Sequence, residues 1–299
     1  MGQADIDAVT QLLDIATAED GHAPMGEHQW LDLVHGGRSG FAGLVAREHG
    51  HDHPVGYAQV TRGPSSWAVE LVVDPHHRET DGREIGDQLL SSALAVVADE
   101  GGGHVHLWVP KPCEWQHDVA TANGLQQGRD LLQMRRSLPT NERYELKTRP
   151  FVVGKDEDGW LGVNNRAFGG HPEQGGWAQA TIEAREAEAW FDPDGFLLHE
   201  RDGRLAGFCW TKVHEEHDPP LGEIYVIAVD PDFAGSGLGR ALVLAGLDHL
   251  AGKGISIGML YVDASNERAV GLYDAMGFTV DHVDRAYTGD VTPTNRPIT

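Results

Sequence analysis

The spacing of apolar and polar residues in the second half of the chain predicts an alternating series of strands and helices. An Asp-Gly pair at 202–203 between two apolar runs is a strong signal for a β-hairpin. A β-branched run then stops at an Asp-Pro pair, and helical periodicity follows until Gly252. The predicted series is strand 195–200, strand 205–213, strand 222–229, helix 238–251, strand 256–262, helix 267–276 and strand 278–283.

The first half of the chain repeats this pattern. Its Asp-Pro pair at 74–75 precedes the one at 230–231 by 156 residues. Three later anchors share an offset of 153, and a three-residue insertion near 79–81 accounts for the change. Two generic halves that merely look alike are the alternative, but a shared offset favours an internal repeat. The anchors are Gly86 with Gly239, Leu107 with Leu260, and Gly124 and Leu125 with Gly277 and Phe278.

The repeat predicts two tandem α/β domains, each with a mixed sheet. A chain of 299 residues is long enough for two domains of about 150 residues each. The segment 139–150 is polar and charged with a proline at each end, so we interpret it as a linker. The predicted division is a domain at 1–138, a linker at 139–150 and a domain at 151–299.

Composition restricts the class of partner. The formal net charge of −23 opposes sequence-independent binding to nucleic acid, which depends on Lys and Arg. It favours a cationic small substrate, although solubility in a salty cytoplasm explains it equally well. No apolar run approaches the ~20 residues of a membrane span, and the acidic, polar first ten residues are unlike a signal peptide. We expect a monomeric cytoplasmic protein that binds neither nucleic acid nor membranes.

The seventeen histidines raise the question of a metal site. The tightest groups are at 51–53, 76–77, 104–106 and 214–217, and none has the helical His-Glu-x-x-His spacing. Cys113 and Cys209 lie in opposite halves and in no metal-ligand spacing. The sequence therefore predicts no metal site and no disulfide scaffold.

A glycine-rich turn at 230–239 is the sharpest local motif. It follows the strand 222–229 and opens the helix 238–251. Glycines let the main chain approach a bulky anion, and the first-turn amides of a helix point at it with the helix dipole behind them. The turn therefore suits a diphosphate, although an ordinary strand-to-helix turn is the alternative. It lacks the Gly-Lys-Ser/Thr of a P-loop and follows a hairpin, which is unlike a dinucleotide fold.

The motif resembles that of the GCN5-related N-acetyltransferases. The segment from Asn266 to Leu272, Tyr273, Gly277 and Phe278 is similar to a second motif of that family. The resemblance implies two acyl-CoA N-acyltransferase domains and acetyl-CoA as donor. Ala234 departs from the family's usual Gln or Arg. By this resemblance the donor is bound at Ile227, Ala228, Val229, Ala234, Gly235, Ser236, Gly237, Leu238, Gly239, Arg240, Asn266, Glu267, Arg268, Ala269, Val270 and Gly271.

The resemblance extends to a tandem branch of the family. Segments at 24–27, 171–177 and 210–214 look like those of members that acetylate the cysteinyl amine of a cysteine–glucosamine–inositol conjugate, desacetylmycothiol. The match spans nearly the whole chain, and the segment at 171–177 is its most specific part. By resemblance alone, the substrate contacts are expected at Glu27, Glu173, Lys212, Glu223 and Tyr261.

Acetyl transfer needs a neutral amine and a proton for the departing thiolate. An α-amino group has a pKa of about 8 and a thiol of about 8.5, so a base and an acid both help at neutral pH. We expect Glu223 to be the base, directly or through water, and Tyr273 to be the acid. A strand-edge carboxylate and a core tyrosine are the respective alternatives. A β-bulge near residues 227–229 would present main-chain amides to the acetyl carbonyl.

The first copy lacks counterparts of both Glu223 and Tyr273. The two offsets place Trp67 opposite Glu223 and Ala120 opposite Tyr273. Its glycine turn at 78–86 carries carboxylates and the insertion. We therefore expect a supporting, non-catalytic domain, which by resemblance still holds a donor molecule at Leu71, Val72 and Val73. Two alternatives stay open: an acetyltransferase for a peptide, polyamine or antibiotic amine, and an acetyl-CoA sensor without turnover.

Overall fold

The computed structural model describes residues 2–22, 24–35, 40–51, 53–63, 66–169, 175–235 and 237–294, without the side chains of residues 27, 28, 31 and 35. The chain forms two compact units. The first consists of Met1–Leu131 with His282–Thr299, and the second of Leu132–Asp281. The predicted domains follow the sequence copies, whereas each compact unit contains the end of the other copy's last strand.

Both copies have the same order of elements, except that the second begins with an additional two-residue strand, β6. The first comprises α1 (Gln3–Asp20), α2 (Glu27–His35), β1 (Phe41–Ala46), β2 (Gly56–Arg62), β3 (Trp67–Val73), α3 (Gly82–Asp99), β4 (Gly103–Pro110), α4 (Glu114–Ala122) and β5 (Gln126–Ser137). The second comprises β6 (Arg149–Pro150), α5 (Glu157–Ala167), α6 (Gln179–Glu186), β7 (Phe196–Arg201), β8 (Arg204–His214), β9 (Leu221–Val229), α7 (Leu238–Gly252), β10 (Ile257–Asp263), α8 (Glu267–Ala275) and β11 (Thr279–Val291). Helices α4 and α8 begin and end 153 residues apart, as the repeat predicts.

Two helices before each hairpin were not predicted. In α1 the buried residues Val9, Leu12, Leu13 and Ala16 have helical spacing, so a signal was present. Helix α6 buries only Ile182 and is otherwise polar, which explains why periodicity did not reveal it. The last strand also differs from the prediction: β11 continues to Val291, eight residues beyond the predicted end at 283.

In the first unit, β1, β2 and β3 are antiparallel neighbours, and β3 and β4 run parallel. The far edge of β4 pairs with residues 284–291 of β11. Helix α3 packs on this sheet through Leu89, Leu90, Ala93 and Val97, together with Tyr287 from β11. The last strand of the second copy thus completes the sheet of the first unit.

In the second unit the strand order is β5, β10, β9, β8, β7, β6. Helix α7 covers one face with Leu242, Leu247 and Leu250, and it approaches the sheet closely at Gly246. A Cβ there would lie 2.6 Å from Cys209 Sγ and 2.7 Å from Ile224 Cδ1, so only glycine fits. This packing fixes the start of α7 beside the end of β9.

Of the helices in the described ranges, none combines the length and the apolar character that crossing a membrane requires.

Candidate active site

Strand β9 carries a β-bulge at Tyr225. Trp210 pairs with Val226 but the next residue, Thr211, pairs with Ile224, so Tyr225 is the extra residue. Tyr225 and Val226 therefore pack in the same core cluster, while Ile224 and Ile227 pack on the opposite face. The bulge lies immediately before the stretch 227–229 where the sequence placed the amides for the acetyl carbonyl.

Strands β9 and β10 part directly after Glu223. Their parallel pairing joins residues 221–223 to residues 257–259, and residues 224–229 lie beyond it. The main-chain groups on that edge of β9 consequently face the gap rather than a continuous ladder. In the first copy β3 and β4 also pair over only three residues, but the β2–β3 register runs from Gly56 to Arg62 without a shift. The bulge distinguishes the second copy.

The glycine turn follows β9 across a short 3₁₀ turn, Pro231–Phe233. Gly235 (φ +80°) and Gly237 (φ +75°) adopt the left-handed conformation that favours glycine, and Gly237 caps α7. A Cβ built on either glycine meets no described atom within 4 Å, and one on Gly239 meets only Val229 Cγ2 at 3.9 Å. The glycines thus leave open space above the first-turn amides of α7, as a bound diphosphate requires.

The corresponding turn of the first copy is filled by protein. A Cβ on Gly86, the counterpart of Gly239, would lie 3.0 Å from Trp115 Cζ3 and 3.5 Å from Val119 Cγ2. Arg78 is held by a bidentate ion pair with Asp20 at 2.6 and 2.8 Å. A cleft of about 220 Å³ nevertheless lies beside Leu71, Val72 and Val73. The two turns therefore differ in packing as well as in sequence.

Asp230 holds the glycine turn of the second copy in place. Its buried carboxylate accepts a hydrogen bond from the Asp232 amide at 3.0 Å and forms an ion pair with Arg166 of α5. Its own amide donates to the carbonyl of Ala206 at 3.0 Å. These contacts fix the turn before any ligand binds.

Glu223 is buried on the same face of the sheet as Lys212 and His214 of the neighbouring strand β8. Lys212 is its cross-strand partner, and His214 Nε2 lies 2.7 Å from Glu223 Oε2. The other ring nitrogen of His214 lies 3.1 Å from Glu216 Oε1. Burial acts to lower the pKa of His214, but the hydrogen bond and charge of Glu223 outweigh it and raise that pKa overall. The two groups therefore form a coupled pair.

Two aromatic rings lie beside Lys212, the cross-strand partner of Glu223. Lys212 Nζ lies 4.4 Å from the ring centre of Trp190 and 5.8 Å from that of Tyr225. Arg185 Nε donates to the Tyr225 hydroxyl at 3.2 Å. The roles of His214 and Arg185 were missed in the sequence. For His214 a signal existed, because residues 210, 212 and 214 of a strand share one face and the hairpin register places Glu223 beside it.

Tyr273 lies on the opposite side of β9. It is 8% exposed and packs in the cluster that contains Cys209, Leu260 and Val262. Burial raises its pKa to about 12, and the nearby Cys209 adds to the shift. Since Glu223 and Tyr273 belong to opposite faces, a ligand would contact both through the gap between β9 and β10.

The other predicted residues fall into three groups. The side chain of Glu27 lies outside the described residues, as do Glu173 and Ser236. Tyr261 is 38% exposed, and its hydroxyl accepts a hydrogen bond from Gln133 at 2.6 Å. Asn266 caps α8 by accepting from the Ala269 amide at 3.2 Å, and Arg240 forms an ion pair with Glu142. Of the remaining α8 positions, Glu267, Arg268 and Gly271 are exposed, and Ala269 and Val270 pack partly on the core.

A bulged strand that parts from its parallel neighbour beside a glycine-rich helix start defines the class of GCN5-related acetyltransferases. Residues 165–278 match the model of the acetyltransferase (GNAT) family. The chain is 43% identical to a mycothiol acetyltransferase of Acidimicrobium ferrooxidans, over 92% of this chain and 91% of that one. It is also 43% identical to a mycothiol acetyltransferase of Thermobispora bispora, over 95% of both. The chain belongs to the mycothiol acetyltransferase family, and it is an acetyl-CoA-dependent N-acetyltransferase.

Solved structures agree in fold. A GCN5-related N-acetyltransferase from Sphaerobacter thermophilus superposes with a TM-score of 0.70 at 21% identity, over 99% of this chain and 96% of that one. A tandem GNAT protein from the clavulanic acid biosynthesis pathway gives 0.67 at 18% identity, over 98% and 96%. These neighbours confirm the predicted mixed α/β fold and its tandem arrangement.

Proposed function

We propose that the chain transfers the acetyl group of acetyl-CoA to the cysteinyl amine of desacetylmycothiol, which yields mycothiol and CoA. The names of its relatives support the substrate. The observation that carries the site assignment is the open glycine turn beside the gap between β9 and β10. Glu223 and Tyr273 lie on opposite faces of the sheet at this gap. The first copy lacks both side chains and the bulge.

The start of α7 would hold the diphosphate of the donor. The first-turn amides, at residues 238–240, have no partner within a helix and carry the positive end of its dipole. Ala234 offers no side-chain contact, so the grip is made by the main chain. Breaking the Arg240–Glu142 ion pair would add a cation to the site. Local amides thus explain how a strongly acidic chain binds a polyanionic ligand.

The parted edge of β9 would hold the acetyl end. The amides of residues 227 and 229 would face the gap, because the amides of residues 228 and 230 point to β8. A donor aimed at the carbonyl oxygen stabilises the negative charge that develops there during attack. The same edge also fixes the distance between the reacting carbon and Glu223.

Glu223 would remove a proton from the attacking amine, directly or through water. His214 holds Oε2 at 2.7 Å and so positions the carboxylate without contacting the reacting atoms. The amine, with a pKa of about 8, is mostly protonated at neutral pH, which is where a base contributes most. Lys212, Tyr261, Glu27 and Glu173 are the proposed contacts to the hydroxyls and charge of the substrate.

Tyr273 would donate a proton to the departing thiolate. With its pKa raised to about 12 it keeps its proton at neutral pH until negative charge appears beside it. The burial that raises the pKa of this phenol also disfavours a charged thiolate in the same place. The pKa of the Tyr273 phenol and that of the CoA thiol therefore rise together.

Acetyl-transfer assays test the proposal. We expect release of CoA, and an acetylated product by mass spectrometry, when the protein is mixed with acetyl-CoA and desacetylmycothiol. A peptide α-amine and a polyamine serve as competing acceptors. Faster turnover of either would refute the proposed substrate. Calorimetric binding of acetyl-CoA without transfer to any amine would instead favour a sensor.

A further inference from the structure

Three potential metal ligands lie together in the first unit, and none of them is among the residues assigned to acetyl transfer or to donor binding. Glu48 and His51 lie in the loop between β1 and β2, and His77 ends the 3₁₀ turn Pro75–His77 after β3. One ligand atom from each lies within 4.8 Å of the others. The cluster unites two segments that are distant in sequence.

Both histidine nitrogens lie close to one carboxylate oxygen. His51 Nε2 lies 3.2 Å and His77 Nε2 3.8 Å from the same oxygen, Glu48 Oε2. Ligands of a tetrahedral ion with bonds of about 2.1 Å are separated by about 3.4 Å. The two distances straddle that value, so small side-chain rotations would complete the ligand set.

His77 is already oriented as a ligand. Its Nδ1 lies 2.9 Å from Asp81 Oδ1, which also accepts a hydrogen bond from Thr80 Oγ1 at 2.8 Å. A carboxylate on one ring nitrogen fixes the proton there and leaves the lone pair of the other nitrogen free to bind a metal. His77 is also buried, whereas the side chains of Glu48 and His51 are 51% and 38% exposed. One ligand is thus rigid and two are reachable from solvent.

At the equivalent positions, all of them described, the second copy has no such cluster. Its hairpin turns at Asp202 and Gly203, where the first copy has a longer loop over residues 47–55. The offset of 156 residues places Phe233 opposite His77. Both halves of the cluster are therefore specific to the copy without the catalytic pair.

We propose that Glu48, His51 and His77 bind a divalent transition metal of the zinc type, with Asp81 orienting His77. Two imidazoles and one carboxylate suit such an ion, whereas Mg²⁺ prefers an all-oxygen set. The fourth position is open to water or another ligand. A bound ion ties the β1–β2 loop to the turn that precedes α3, so it stabilises the first unit.

Titration of the full chain with Zn²⁺ alone tests the site. We expect one tight equivalent by calorimetry, above the weak binding of other surface histidines. The unfolding temperature should rise by about 5 °C when free Zn²⁺ exceeds its Kd about a hundredfold. Co²⁺ should give the visible absorption of a tetrahedral complex, and Mg²⁺ should have no effect.

Variants distinguish zinc binding at this specific site from nonspecific zinc binding by surface histidines. His51→Ala, which changes an exposed side chain, and His77→Ala should each abolish the tight equivalent, and Asp81→Asn should weaken it about ten- to a hundredfold. His49→Ala, in the same loop, and His104→Ala, an exposed histidine paired with Asp290, are matched controls that should bind as wild type. Equal zinc binding by wild type and the His51→Ala variant would overturn the proposal, as would the absence of tight binding.

Discussion

Replacing Gly239 by alanine separates donor binding from folding. Gly239 is the second residue of α7, and its new Cβ would meet only Val229 Cγ2 at 3.9 Å, an ordinary contact. Alanine is favoured over glycine within a helix by roughly 0.5–1 kcal/mol, and by less in the first turn. We therefore expect the free energy of unfolding to stay constant or to rise slightly.

The same methyl group should obstruct the diphosphate. A helical Cβ is tilted toward the N-terminus, here into the open space above the first-turn amides. A hydrogen bond to a charged group is worth about 1.5–3 kcal/mol, so losing one raises the KM for acetyl-CoA about tenfold to a hundredfold. The kcat should change little, because neither Glu223 nor Tyr273 is touched. Initial rates of CoA release give both constants, and urea unfolding gives the stability.

Two alanine substitutions serve as controls. Gly252, at the other end of α7, has no neighbour within 4 Å of a built Cβ, so Gly252→Ala should match Gly239→Ala in stability and leave KM unchanged. Gly86→Ala, at the equivalent position of the first copy, should cost stability because Trp115 lies 3.0 Å away. An unchanged KM in Gly239→Ala would refute the main-chain diphosphate site.

Three further predictions concern Tyr273, Glu223 and the histidine that positions Glu223. Tyr273→Phe should lower kcat by about ten- to a thousandfold at an unchanged Kd for CoA, and wild-type turnover would remove the phenol from the mechanism. Glu223→Gln should lose most activity at low pH, where the amine is hardest to deprotonate; a constant ratio to wild type across pH would count against a base. The pKa of His214 is raised in the folded protein, so the stability that its protonated form contributes is complete below pH 6.5, its ordinary pKa. That stability is lost as the pH rises through the raised pKa. Urea unfolding of His214→Gln should thus differ from wild type more at about pH 6 than at about pH 9, and the opposite trend would contradict the coupling to Glu223.

The repeat could be read from sequence because its anchors are backbone requirements. Asp74 and Asp230 each precede a proline and accept a hydrogen bond from the amide two residues on, so the pair marks the same turn in both copies. Gly124 and Gly277 both adopt positive φ after a helix, which preserves glycine. Positions under such local constraints predicted the elements between them.

Features that depend on pairing could not be predicted in the same way. Sequence spacing does not say that residues 284–291 of β11 pair with β4, because the partner of a long strand is set by the whole sheet. A bulge was expected near residues 227–229, but its position at Tyr225 is visible only in the register with Trp210. The hydrogen bond between His214 and Glu223 joins two strands, so it required a register that the apolar pattern alone does not supply.

The central claim is that the second copy's glycine turn presents the acetyl group to Glu223 and Tyr273. A crystal structure of the Tyr273→Phe variant with acetyl-CoA and desacetylmycothiol tests it most directly. We predict the diphosphate within about 3 Å of the amides of residues 238–240, with the thioester in the gap between β9 and β10. A donor bound solely beside Leu71 and Arg78 of the first copy, with the gap after Glu223 closed, would contradict the account.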